Sequence, residues 1–142
     1  MPISVLLAED HLLFRQDVRL LLESHPDLQI VGEAGSGREA MALAQSLSPD
    51  IIVLDLVLPG LSGLEVLNRL RQQSPEVRIV ILSMHAEEVY VRDALHHGVS
   101  GYVLKEDTFS HLVPALREAA AGRQYLSPML RQWVERQNGA ES

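Results

Sequence analysis

Ile51-Ile52-Val53-Leu54-Asp55-Leu56-Val57-Leu58-Pro59-Gly60 decides the fold. Consecutive large apolar residues without alternation read as a strand buried on both faces, the kind found at the centre of a parallel sheet covered by helices. Pro59-Gly60 then calls for a sharp turn. Asp55 is thereby delivered to the carboxyl end of a central strand, where open parallel sheets bind their ligands. A lone Asp before a loop is ordinarily a turn initiator, so the other strand ends must decide whether Asp55 is more.

Working outward, Ile3-Ser4-Val5-Leu6-Leu7-Ala8 stops at Glu9-Asp10, Arg78-Ile79-Val80-Ile81-Leu82 stops at Ser83, and Gly101-Tyr102-Val103-Leu104 stops at Lys105. Leu28 to Gly32 reads as a short second strand. Helical periodicity fills the gaps: Leu12 to Glu23, ended by Ser24-His25-Pro26, then helices opened by the Ser-x-x-Glu capping boxes at Ser36 and Ser62. A fourth helix spans Glu87 to His97 before Gly98, and a fifth Thr108 to Ala121. Five β-α repeats require right-handed crossovers. The expected fold class is α/β, a five-stranded parallel doubly wound sheet of flavodoxin-like order 2-1-3-4-5 with helices on both faces. In that order Asp10 and Asp55 meet at the switch point, with Ser83 and Lys105 on the far side of Asp55.

The chain has 142 residues, enough for one domain and its core. Residues 1–122 hold the five repeats. Ser127-Pro128 then opens an extra helix through Gln137 that belongs to no repeat, with Met129, Leu130, Trp133 and Val134 available for packing, and residues 138–142 read as a frayed end. Nineteen acidic side chains against 12 basic ones give a net charge of −7, with no basic run to meet nucleic-acid phosphates. There is no cysteine, hence no disulfide framework. No apolar stretch approaches the ~20 residues of a membrane span, and Met1-Pro2-Ile3-Ser4 lacks a charged leader. A cytoplasmic location with no membrane contact is expected.

Three carboxylates at one sheet edge, Glu9, Asp10 and Asp55, repel one another and imply a cation. An all-oxygen donor set favours Mg²⁺ or Mn²⁺ over Zn²⁺. An ammonium and a hydroxyl beside such a centre, Lys105 and Ser83, suit the oxygens of a phosphoryl group. A carboxylate can itself be the nucleophile of phosphoryl transfer, and Asp55 is the central candidate.

These residues carry a resemblance. From Ile3 to Ala121 the chain resembles the receiver domain of two-component response regulators, with Glu9-Asp10, Asp55, Pro59-Gly60, Ser83 and Lys105 where that family has its acidic pair, phosphoacceptor, turn, hydroxyl and lysine. The resemblance implies a phosphoacceptor that assists its own phosphorylation and dephosphorylation, not a turnover enzyme. A sensor histidine kinase would supply the phosphoryl group to Asp55, with Mg²⁺ held by Asp10, Asp55 and the Val57 carbonyl, and by Glu9 through water. Ser83 and Lys105 would bind the phosphoryl oxygens, and Ser83 with Tyr102 would switch the face of the fourth helix, fifth strand and fifth helix. Dimerisation on phosphorylation through this face, or through the first and fifth helices, is the expected output.

Gly101-Tyr102-Val103-Leu104-Lys105 with Ala121-Gly122-Arg123-Gln124-Tyr125-Leu126-Ser127-Pro128 is similar to the NarL/FixJ branch. There a LuxR-type helix-turn-helix domain follows and binds DNA, so the chain is expected to be the receiver part of a transcription regulator, a stand-alone interaction module being the alternative. Two positions depart from the family: Leu58 where methionine is frequent, and Glu106 where many receivers have a proline after a cis bond. A dinucleotide-binding reading rests on Gly35-Ser36-Gly37-Arg38-Glu39-Ala40; it gives Glu9, Asp10, Ser83 and Lys105 no task. A haloacid-type phosphatase would need an acid at Val57.

Overall fold

The computed structural model describes residues 2–141, with side-chain surroundings for residues 2–137. Strands and helices alternate: β1 (Ile3–Ala8), α1 (Leu12–Glu23), β2 (Leu28–Ala34), α2 (Gly37–Leu47), β3 (Ile51–Leu54), α3 (Gly63–Gln73), β4 (Arg78–Ser83), α4 (Glu88–His96), β5 (Gly101–Leu104) and α5 (Thr108–Ala120). All strand pairs are parallel. The two-residue strand β6 (Tyr125–Leu126) and the helix α6 (Pro128–Glu141) follow.

The period of two along each strand sorts the core into two layers. Leu6, Ala8, Ile52, Leu54, Ile79, Ile81, Tyr102 and Leu104 face α2, α3 and α4. Val5, Leu7, Ile51, Val53, Val80, Leu82 and Val103 face α1 and α5, where Leu112, Leu116 and Ala119 meet Val18 and Leu22. β3 is buried along its whole length, as its unbroken apolar run requires.

The expected five-stranded sheet is corrected to six strands, in the order β2-β1-β3-β4-β5-β6. Gly122, at φ +84°, turns the chain out of α5. Tyr125 and Leu126 then pair with Gly101 and Tyr102, and Ser127 Oγ accepts from Leu104 N–H at 2.9 Å. A two-residue strand is too short to show alternation. α6 packs Leu130, Trp133 and Val134 onto the layer of α4, and the Trp133 indole donates to Glu88 Oε1 at 2.6 Å. Residues 138–141, expected to be frayed, continue this helix, and Ser142 lies outside the described residues.

Candidate functional site

The site forms where β1, β3, β4 and β5 end. Asp55 N–H donates to Ala8 O at 3.0 Å and Glu9 N–H to Ala34 O at 2.9 Å, so the sheet ladder runs up to the acids themselves. Past Asp55 the chain turns: Val57 N–H donates to Asp55 Oδ1 at 3.0 Å, and Gly63 N–H reaches back to Leu56 O at 3.0 Å. Gly63 is required there, because a Cβ would stand 2.3 Å from Asp55 O and 2.3 Å from Leu56 Cα. Only a residue without a side chain lets the start of α3 come this close to Asp55.

Glu9, Asp10 and Asp55 each bring a carboxylate oxygen to within 4.8 Å of the others. Glu9 and Asp55 are buried and Asp10 is exposed. Lys105 Nζ donates to Asp55 Oδ2 at 3.0 Å and lies 2.6 Å from Glu9 Oε1. The second contact is an ion pair outside hydrogen-bond geometry, so Glu9 Oε1 has charge compensation but no directed donor. Lys105 leaves β5 on the far side of Asp55, as the strand order requires, and its ammonium reaches back to bridge both acids. When all are ionised, three carboxylates and one ammonium leave two net negative charges, a set of hard oxygen donors suited to a divalent cation. Lys105 is held from behind by the buried Thr108, whose hydroxyl donates to the Lys105 carbonyl at 2.6 Å. The Lys105-Glu106 bond is trans, as no described peptide bond is cis.

Burial raises the Glu9 pKa above its ordinary value; Lys105 and the His11 N–H offset this in part, and the Asp55 charge adds to it. For Lys105, burial would lower the pKa, but Glu9 and Asp55 outweigh burial and hold the ammonium above its usual value. A raised carboxyl pKa means that the ionised form is disfavoured in the fold. Its contribution to stability is full below the unfolded value of about 4.5 and is lost as pH rises through the higher folded value. Glu9→Gln, a neutral isostere, is therefore expected to match the wild type at low pH and to exceed it in chelator at pH 7. Thermal melts across that range check this, and a less stable variant at pH 7 contradicts it.

Ser83 is fully buried at the end of β4, and its hydroxyl accepts from His85 N–H at 3.0 Å. Tyr102 is also fully buried, with its hydroxyl donating to His85 O at 2.6 Å, and burial pushes its phenol up to about 12. Both residues thus converge on the backbone at His85. Val57 meets Asp55 through its N–H.

Sequence reasoning missed the contribution of α1. His11 caps the helix, accepting from Phe14 N–H at 3.4 Å, and Phe14 lays its ring over Lys105 Nζ at 4.8 Å from the centroid. Arg15 Nη1 donates to Glu9 O at 3.0 Å, while its Nε lies 3.4 Å from Glu33 Oε1 without a directed hydrogen bond. An aromatic and an arginine in a helix facing the acidic turn were the available signal. The glycines of the dinucleotide-like motif have another use. Glu39 returns its carboxylate to Gly35 N–H at 2.6 Å, so this helix start already holds an anion of its own. A Cβ at Gly37 would stand 1.9 Å from Leu61 O, which makes this glycine a packing requirement.

Comparison with known proteins identifies the family of the domain. Residues 5–117 match the family described as the response regulator receiver domain. The nitrate/nitrite response regulator protein NarL of Escherichia coli (strain K12) is 44% identical over 129 residues, covering 91% of this chain and 60% of that protein. The transcriptional regulatory protein DegU of Brevibacillus brevis is 35% identical over 126 residues, covering 89% of this chain and 53% of that protein. The chain thus spans about 60% or less of the length of these relatives. The crystal structure of a LuxR-family two-component response regulator from Aurantimonas sp. SI85-9A1 matches with a TM-score of 0.91 and 35% identity, covering 97% of this chain and 99% of that one. A LuxR-family DNA-binding response regulator from Staphylococcus aureus matches with a TM-score of 0.79 and 30% identity, covering 83% of this chain and 98% of that one. With its acids and lysine gathered at the strand ends of this sheet, the chain belongs to the receiver domains of two-component response regulators, in the NarL/FixJ branch.

Proposed function

We propose that Asp55 accepts a phosphoryl group from a phosphohistidine of a sensor histidine kinase. The observation that carries this reading is a buried carboxylate at a central strand end, paired with Lys105 at 3.0 Å and clustered with Glu9 and Asp10. An Asp55 carboxylate oxygen attacks phosphorus, an O–P bond forms as the N–P bond breaks, and the imidazole leaves with the electron pair and takes up a proton. Asp10, Asp55, the Val57 carbonyl and, through water, Glu9 would hold Mg²⁺, with Mn²⁺ as a substitute of similar donor preference. When bound, the ion screens the negative charge of the phosphoryl oxygens from the acids. Lys105 and the Ser83 hydroxyl bind oxygens of the transferred group. The domain is a phosphoacceptor that hastens its own labelling and hydrolysis.

Output follows from the convergence on His85. Drawing Ser83 toward a phosphoryl group moves the backbone that Tyr102 holds, and so biases the surface of α4, β5 and α5. Homodimerisation of the phosphorylated form in the cytoplasm, with DNA bound by a LuxR-type domain beyond this chain, completes the reading. Residues 1–122 would then act as the phosphoacceptor unit and residues 123–142 as the connection to that domain. No helix among the described residues is long and apolar enough to cross a membrane.

The direct experiment is intact-mass measurement after incubation with acetyl phosphate and Mg²⁺, which should show one added phosphoryl group per chain. Metal binding has its own readout. Mg²⁺ near a hundred times its Kd should stabilise the wild type by about 2.7 kcal/mol. Asp10→Ala should lose that gain and, by removing one of three like charges, melt higher than the wild type in chelator. A variant that melts lower and still responds to Mg²⁺ would exclude Asp10 as a ligand.

A further inference from the structure

Lys105 has three contacts at its ammonium, and two of them are with the acids of the reaction centre. It lies 3.0 Å from Asp55 Oδ2, 2.6 Å from Glu9 Oε1 and 4.8 Å from the centroid of the Phe14 ring. In the phosphoacceptor reading, on which this inference rests, the acids are claimed by a cation and Asp55 by the phosphoryl group. Once the cation draws on the acids, and before the phosphoryl oxygens arrive to replace them, the lysine is held less firmly by Asp55 and Glu9. Its four-carbon stem is flexible, and its side chain retains 17% exposure at the mouth of a groove lined by His11, Leu13, Phe14 and Met84. Left to itself, the ammonium would turn toward water.

Phe14 is the contact that the chemistry does not consume. It stands in the first turn of α1, fixed by the His11 cap on its N–H and by packing against the core layer of α1 and α5. Its ring presents its negative face to the ammonium within the ~6 Å over which a cation is attracted to an aromatic quadrupole. We propose that Phe14 is the positioning residue for Lys105: its ring keeps the ammonium in the cleft while Asp55 and Glu9 are engaged elsewhere, so that the lysine is in place when charge develops on the phosphoryl oxygens. A positioned donor costs no reorganisation at the moment of reaction. When only part of the population has its lysine in place, the rate falls to that fraction of its full value.

The test separates the quadrupole from the volume of the ring. Phe14→Leu keeps an apolar side chain and removes the π face; Phe14→Trp restores a π face. The Leu variant should incorporate phosphoryl groups from acetyl phosphate and Mg²⁺ about three- to fivefold more slowly, and the Trp variant should recover the wild-type rate. Independently of any labelling, the Lys105 ε-methylene protons should be shifted upfield by the ring in Mg²⁺-loaded wild type and return to ordinary positions in the Leu variant. Labelling of the Leu variant at the wild-type rate, or ε-methylene shifts unaffected by the substitution, overturns the assignment. An unlabelled wild type would instead sink the phosphoacceptor reading, and the methylene shifts would still decide whether Phe14 holds Lys105.

Discussion

Asp55→Asn should reduce phosphoryl incorporation from acetyl phosphate by about a thousandfold or more, the scale of losing a reaction's nucleophile. The substitution preserves shape: an Asn carbonyl can still accept from Val57 N–H, which holds Asp55 Oδ1 at 3.0 Å. What it removes is the negative oxygen that would attack phosphorus in the proposed reaction, and the charge that pairs with Lys105 at 3.0 Å. The variant should therefore fold, leave Lys105 on Glu9 alone, and show no added mass. Labelling equal to the wild type would move the acceptor to another side chain.

The second large effect concerns stability. Gly63→Ala places a methyl group 2.3 Å from Asp55 O and Leu56 Cα, both backbone atoms that cannot rotate aside. Alanine is the better helix former by about 1 kcal/mol, so propensity alone predicts a more stable protein. Forced displacement of a packed backbone outweighs that gain, and a net loss of about 2–4 kcal/mol is expected, read as a fall of roughly 5–15 °C in the melting midpoint. The strain falls on the turn that carries Asp55, so phosphoryl incorporation should slow in the same variant. A midpoint equal to or above that of the wild type would mean that α3 can retreat from Asp55 at no cost.

The layered sheet is legible in the sequence because five apolar runs, punctuated by capping boxes, proline and glycine, call for a parallel sheet with helices on both faces, of which the order 2-1-3-4-5 is one common form. The strand-end residues follow from it, since a parallel sheet gathers whatever ends its strands. Three features resisted for separate reasons. β6 is two residues long and has no period. The bridge of Lys105 to Glu9 depends on the reach of a flexible side chain across the ends of two intervening strands, which register does not specify. Phe14 and Arg15 lie on a helix whose periodicity shows which face is apolar and not which residue overhangs the neighbouring strand ends.

The short strand β6 has a consequence for association. β5 is a fully buried run, Gly101–Leu104, and without Tyr125, Leu126 and Ser127 its outer N–H and C=O groups would form an open edge beside apolar side chains. Such an edge is a template on which another chain can add a strand. Trimming the domain to its five repeats would therefore free these β5 groups for pairing with another chain: Tyr125, Leu126 and Ser127 are the cover over an apolar edge.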